Sequence, residues 1–115
     1  MPWVRLDDGF HSHPKALAVG LDGCGLFARA LSYCGAYLTD GRVPHAWVMA
    51  QTAGDGALAI RLEEAGLWQS TADGDFVIPD FTDLNPTKAA YVAEQAAGAA
   101  RAKASRDRRR KGPKS

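Results

Sequence analysis

The chain has 115 residues, 46% of them hydrophobic and 23% charged, the ordinary make-up of one globular domain. Its longest uncharged stretch, Val43 to Gly54, contains His, Gln and Thr and is too short to span a bilayer, which excludes a transmembrane helix. A net charge of +1 hides an asymmetry: residues 1–86 carry five basic and eleven acidic side chains, residues 87–115 nine basic and two acidic.

In chain order, Trp3-Val4-Arg5-Leu6 alternates apolar and polar and predicts a short strand, ended by Asp8-Gly9. Pro14 suits the first position of a short helix with Leu17, Ala18 and Leu21 on its apolar side. Gly20, Gly23 and Gly25 punctuate the next stretch of chain. Cys24, Phe27, Leu31, Cys34 and Leu38 then recur at helical spacing and predict a core-facing helix of about fifteen residues. Thr39-Asp40-Gly41 stops it, with Gly41 suited to a left-handed conformation. Val43-Pro44 reads as an extended link. A second amphipathic helix is expected over Pro44 to Thr52, with Trp47, Val48 and Met49 turned inward. After the turn Gly54-Asp55-Gly56, a third helix is expected over Ala57 to Ala65, capped by Gly66.

Leu67-Trp68-Gln69-Ser70 and Asp75 to Pro79 predict two strands joined by the hairpin signal Asp73-Gly74, with Phe76 and Ile78 on one face and Val77 on the other. Asn85-Pro86 is expected to open a final helix, Asn85 as N-cap, running to about Ala104. This helix is mostly alanine, weakened by Gly98, and only its first two turns have bulky apolar residues, Tyr91 and Val92. From Ser105 the composition reads as a disordered basic tail. The expected organisation is therefore a domain over 1–84, a helix over 85–104 and a tail over 105–115. Cys24 and Cys34, ten residues apart on one helix, would lie about 15 Å apart along its axis. That separation excludes a disulfide between them and predicts two small buried side chains.

The expected order of helix, helix, turn, helix and hairpin is that of a winged helix-turn-helix, an α+β fold. Four stretches carry a closer likeness. They are Trp3-Val4-Arg5-Leu6-Asp7-Asp8-Gly9-Phe10 with His13-Pro14-Lys15, then Leu31-Ser32-Tyr33-Cys34, then Leu38-Thr39-Asp40-Gly41-Arg42-Val43-Pro44. The fourth is Leu62-Glu63-Glu64-Ala65-Gly66-Leu67-Trp68, followed by Ile78-Pro79-Asp80-Phe81 and Asn85-Pro86-Thr87. As an ordered set over about Met1 to Ala100, they resemble the N-terminal winged-helix domain of phage-type replisome organiser and replication initiation proteins of actinobacteria and their phages. The resemblance implies a DNA-binding domain acting at a replication origin or a phage operator, in the cytoplasm of a bacterial host. Family members often continue into a region that engages the replicative helicase or its loader. This chain has a basic tail at that point, so a small accessory or regulatory DNA binder is expected as readily as an initiator.

The candidate DNA contacts divide into two groups. In the body they are Lys15, Arg42 and Arg61, the last being the single cation of the Asp55–Ala65 segment, beside Asp55, Glu63 and Glu64. In the tail they are Arg101, Lys103, Arg106, Arg108, Arg109, Arg110 and Lys111, joined by Lys114, each able to neutralise a phosphate in salt-sensitive, sequence-blind binding. The acidic body also fits a rival role, in which the winged-helix face binds a host replication or transcription protein.

Other chemistry finds less support. His11 and His13, near Asp7 and Asp8, lack the close Cys or His pairs of a structural zinc site and predict a polar turn. No nucleophile elbow, phosphate-binding loop or zinc-protease motif is present, so neither catalysis nor a cofactor is expected. Trp3, Trp47 and Trp68 invite comparison with base-stacking sets, but their positions predict inward packing. The expectation is a non-catalytic binder of double-stranded DNA, monomer or homodimer, without a membrane partner.

Overall fold

The computed structural model describes residues 3–110. Two compact units divide at Asn85, residues 1–85 and residues 86–115.

The first unit is built on α1, Pro14–Tyr37, which begins with Pro14 at its first turn and His13 as N-cap, the His13 ring nitrogen accepting from Lys15 N–H at 3.1 Å. Gly20 breaks α1 with φ 72° and ψ −178°, so the short helix and the long helix expected from sequence are consecutive segments joined at one glycine. Beyond the break, Leu26, Phe27, Ala30, Leu31 and Cys34 are buried along one stripe. Gly23 marks a close approach: a Cβ there would lie 2.5 Å from Val19 Cβ and 3.3 Å from Leu62 Cδ1.

β1, Arg42–Val43, follows a turn in which Gly41 has φ 92°. Then come α2, His45–Gln51, and α3, Ala57–Ala65, the latter capped by Gly66 in the left-handed conformation. β2, Gln69–Ser70, and β3, Phe76–Val77, complete an antiparallel sheet of order β1-β3-β2. Val43 pairs with Phe76, and Ser70 pairs with Phe76 from the other side. Val43, expected in an extended link, thus ends a third strand, and Pro44 is the N-cap of α2. As expected, Phe76 and Ile78 are buried and Val77 is more exposed.

Trp68 closes the core. It is fully buried, stacks on Phe76 at 4.6 Å between centroids, and donates its indole N–H to the Ala59 carbonyl at 3.0 Å. Val43, Val48 and Leu62 are equally inaccessible and bring β1, α2 and α3 into the same cluster as α1. Cys34 is buried and Cys24 half-buried, both as free thiols.

Three expectations are corrected in this unit. Residues 3–6 form no strand, because the chain there meets no strand edge. Trp3 is 83% exposed rather than packed inward. Instead of a ladder, the Arg5 N–H donates to the buried Asn85 Oδ1 at 2.8 Å. Asn85 is accordingly not an N-cap: it ends α4, Phe81–Leu84, a short helix missed in the sequence, and its Nδ2 donates to the Phe81 carbonyl at 3.2 Å.

In the second unit, α5 spans Lys88–Arg110. Thr87 takes the capping role expected of Asn85, its hydroxyl accepting from Ala90 N–H at 3.1 Å. The helix runs through Gly98 and on past Ala104, so residues 105–110 are helical rather than disordered. Arginine is a strong helix former, and Arg108, Arg109 and Arg110 lie at the C-terminal end, where the helix dipole favours positive charge. Residues 111–115, the rest of the expected tail, lie outside the described residues. No helix among the described residues is long and apolar enough to cross a membrane.

Candidate nucleic-acid interface

The three candidate cations of the body, Lys15, Arg42 and Arg61, are each engaged within it. Arg61 projects from α3 toward the break in α1. Its Nη1 donates to the Val19 carbonyl at 3.1 Å and to the two Asp22 oxygens at 3.0 and 3.1 Å. A left-handed Gly20 interrupts the helical ladder, and Arg61 supplies a donor at the interruption. The Gly23 N–H, with Arg61 second, holds the Asp22 carboxyl below its ordinary range.

Arg42 plays a matching part at the hairpin. Its Nε donates to Asp75 Oδ2 at 3.1 Å, and its Nη2 to Asp73. Asp75 also accepts from the His45 N–H at 2.9 Å, so one carboxylate joins β1, the start of α2 and the β2–β3 turn. The Thr71 hydroxyl lowers the Asp73 carboxyl. Lys15 reaches the Gly66 carbonyl at 3.4 Å, at the C-terminus of α3. These are exposed contacts, so solvent screens them. Their geometric effect is that Lys15, Arg42 and Arg61 already have anionic or carbonyl partners.

The outward side of α3 has little with which to hold a phosphate. Ala57, Ile60, Arg61 and Glu64 are exposed, and Ile60 is a large apolar side chain at 55%. Glu63 is a structural tie: it accepts the Ser70 hydroxyl and N–H, linking α3 to β2, and these two bonds lower its carboxyl. Polar side chains at the end of α2 are also engaged. Gln51 Oε1 accepts from Arg29, and the Thr52 hydroxyl donates to the Val48 carbonyl.

α5 has the opposite character. Arg101, Lys103, Arg106, Arg108, Arg109 and Arg110 are all exposed. Arg101 pairs with Glu94 at 2.8 Å, two turns earlier. No ion pair among the described residues holds the other five. Lys103, Arg106 and Arg110 recur at helical spacing on one face, while Arg101 and Arg108, seven apart, share another. The segment thus carries cations on opposed sides over a length of about 15 Å. Lys111 and Lys114, expected to join this group, lie outside the described residues. Continuation of the helix through Arg110 was hidden by a charge run that reads compositionally as disorder; its Arg-rich composition was the available sign.

His11 and His13 serve the turn before α1, with His11 Nδ1 2.7 Å from the Ser12 hydroxyl. No group of three His, Cys, Asp or Glu among the described residues is placed to hold a metal ion. Trp47 is half-buried against the core and lies 4.9 Å from Tyr33, which in turn lies 4.7 Å from Tyr37. The chain matches no protein-family model, no curated protein and no solved structure.

Proposed function

We propose that the protein is a non-catalytic binder of double-stranded DNA whose grip is the basic C-terminal half of α5. One observation carries this reading. Lys15, Arg42 and Arg61 are bonded within the body, while Lys103, Arg106, Arg108, Arg109 and Arg110 stand exposed on one helical segment with no ion pair among the described residues. A continuous basic helix is a known way to enter the major groove, about 12 Å wide and walled by phosphates on both sides. Cations on opposed faces suit two such walls.

The body supports the same reading at the level of architecture. Its α+β order α1-β1-α2-α3-β2-β3 and sheet order β1-β3-β2 are compatible with a winged helix-turn-helix. On this view α3 occupies the recognition position but contributes little affinity, and α5 supplies the grip. The setting implied by the family resemblance is replication initiation or transcriptional control of a phage or mobile element, in the cytoplasm of a bacterial host.

A second reading rests on a separate observation. Leu21 is 94% exposed and Leu17 69%, and Ile60 stands out on α3 beside Glu64. Exposed apolar side chains on an acidic body fit a host replication or transcription protein, with α5 bringing the complex to DNA.

The test is binding to unrelated duplexes at low and at physiological salt. The reading expects similar affinity for each duplex and a steep loss with salt, about 10³-fold or more between 50 and 200 mM if six phosphates are neutralised. No duplex binding at low salt overturns it and leaves the protein-binding face as the reading.

A further inference from the structure

The aromatic groove between α1 and α2 has a composition that neither the core nor the basic helix explains. Arg29, Ser32, Tyr33, Tyr37, Trp47 and Gln51 line an open groove of about 270 Å³. Tyr33 and Tyr37 lie one turn apart on α1, and Trp47 comes from α2. Their rings are tilted by 47° and 43° at centroid distances of 4.7 and 4.9 Å, so they brace one another without closing into a parallel stack. Tyr37 is 68% exposed at the end of this cluster. An outward helix face in a small soluble domain ordinarily carries charge, and this one carries rings.

Charge distinguishes the groove from its surroundings. The hollow under the N-terminal segment is lined by Asp7 and Asp80 together with Arg5 and Lys15, and the hollow on the other side of Arg29 and Gln51 by Asp22 and Asp55. Among the described residues no carboxylate lines the aromatic groove, and its one ionic group is Arg29. Arg29 uses one Nη1 contact on Gln51 at 3.0 Å, which braces the guanidinium and leaves further N–H donors. In a body with eleven acidic side chains, an acid-free aromatic surface with an arginine at its end is complementary to an anionic polymer with flat apolar faces.

From this we infer that the Tyr33–Tyr37–Trp47 groove binds single-stranded DNA, with an unpaired base stacked on Tyr37 and a neighbouring phosphate at Arg29. Base stacking on exposed aromatic rings is tolerant of sequence, and a guanidinium beside the rings is the usual phosphate partner. Duplex DNA keeps its base faces covered and gains nothing from the rings. The inference rests on the reading of the chain as a DNA binder and adds a second, strand-selective subsite to it. A protein with both is suited to DNA that has been partly opened.

The test is fluorescence anisotropy of the full chain with three labelled probes: an oligothymidylate of roughly 15 nucleotides, a base-free oligonucleotide of equal length and charge, and a duplex. The oligothymidylate is expected to bind about 5- to 100-fold more tightly than the base-free probe. Tyr37→Ala is expected to abolish that difference, Tyr37→Phe to keep it, and neither to change duplex affinity. Both changes are at an exposed position, and an unchanged thermal transition verifies the fold. Equal binding of the first two probes, or an unaffected Tyr37→Ala variant, overturns the groove. Duplex binding that persists in that case leaves the role of α5 standing. Base-dependent binding of oligothymidylate without duplex binding supports the groove and overturns the duplex reading. Failure of all three probes overturns both.

Discussion

Arg61 of α3 holds the carboxylate of Asp22 with Nη1 bonds of 3.0 and 3.1 Å, two residues beyond the glycine that breaks α1. The same nitrogen reaches the Val19 carbonyl just before the break. The single cation of α3 is therefore committed to the fold. Arg61→Ala is expected to lower the thermal midpoint by removing this bridge between α1 and α3. Its effect on DNA affinity is expected to stay well under the ~1–3 kcal/mol lost when an arginine that reads a base is removed. Parallel melting and anisotropy of the variant check both halves.

Asn85 clasps the N-terminal segment to the end of α4. It is 4% exposed, accepts from Arg5 N–H and donates to the Phe81 carbonyl. Asn85→Ala leaves the part-buried Arg5 N–H without its acceptor, while the Phe81 carbonyl keeps the Asn85 backbone N–H, at an expected cost of about 1 kcal/mol in urea denaturation. Amide exchange at Arg5 is expected to accelerate more than exchange within β3.

Gly41 is placed where no other residue fits. Its φ is 92°, and a Cβ would lie 2.9 Å from both the Ile78 carbonyl oxygen and Phe81 Cβ. Gly41→Ala combines backbone strain with a clash against backbone, so its cost is expected to exceed about 1 kcal/mol. Chemical denaturation measures it, with Gly54→Ala as a comparison in which the added Cβ meets nothing within 4 Å at φ 82°.

Three carboxyls make the fold sensitive to acid. Asp22, Glu63 and Asp73 lie below their ordinary values of 3.8, 4.5 and 3.8, through the Gly23 N–H, the Ser70 hydroxyl and the Thr71 hydroxyl respectively. A carboxyl depressed in the folded state binds its proton less readily there than in the unfolded chain. Its stabilisation is complete above the unfolded value and is lost as pH falls through the folded value. Stability is thus expected to begin falling near pH 4.5 and to keep falling below 3.8. Urea midpoints across this range are the check, and Glu63→Gln is expected to flatten the upper part of the decline.

Local patterns announced the elements whose cause is local. Gly66 at the end of α3, Gly41 at its turn, and the Asp73-Gly74 hairpin all stand where turn chemistry puts them. Of the α1 stripe, Phe27, Leu31 and Cys34 are buried as helical spacing predicted, while Cys24 is half-buried and Leu38 ends the helix in the left-handed conformation. Distant partners were not legible. Arg42–Val43 is a strand because Phe76–Val77 lies beside it, and Trp3–Leu6 is not one because nothing does. Asn85 has the residue type of an N-cap, but the Arg5 amide decides its use. The candidate site followed the same division. Composition picked out Lys15, Arg42 and Arg61 as cations, but only the folded chain shows their partners. The aromatic groove was hidden because Tyr33, Tyr37 and Trp47 belong to two helices whose packing the sequence does not display.

The proposal that α5, not α3, holds DNA is decided by the salt dependence of duplex binding. The full chain is compared with a variant in which Lys103, Arg106, Arg108, Arg109 and Arg110 are all replaced by Gln, a good helix former. If all five cations meet phosphates, the slope of log K against log salt is expected to shrink by about 4–5, with most of the affinity lost at physiological salt. An unchanged slope and affinity in the Gln variant would refute the role of α5 and return the contact to the body.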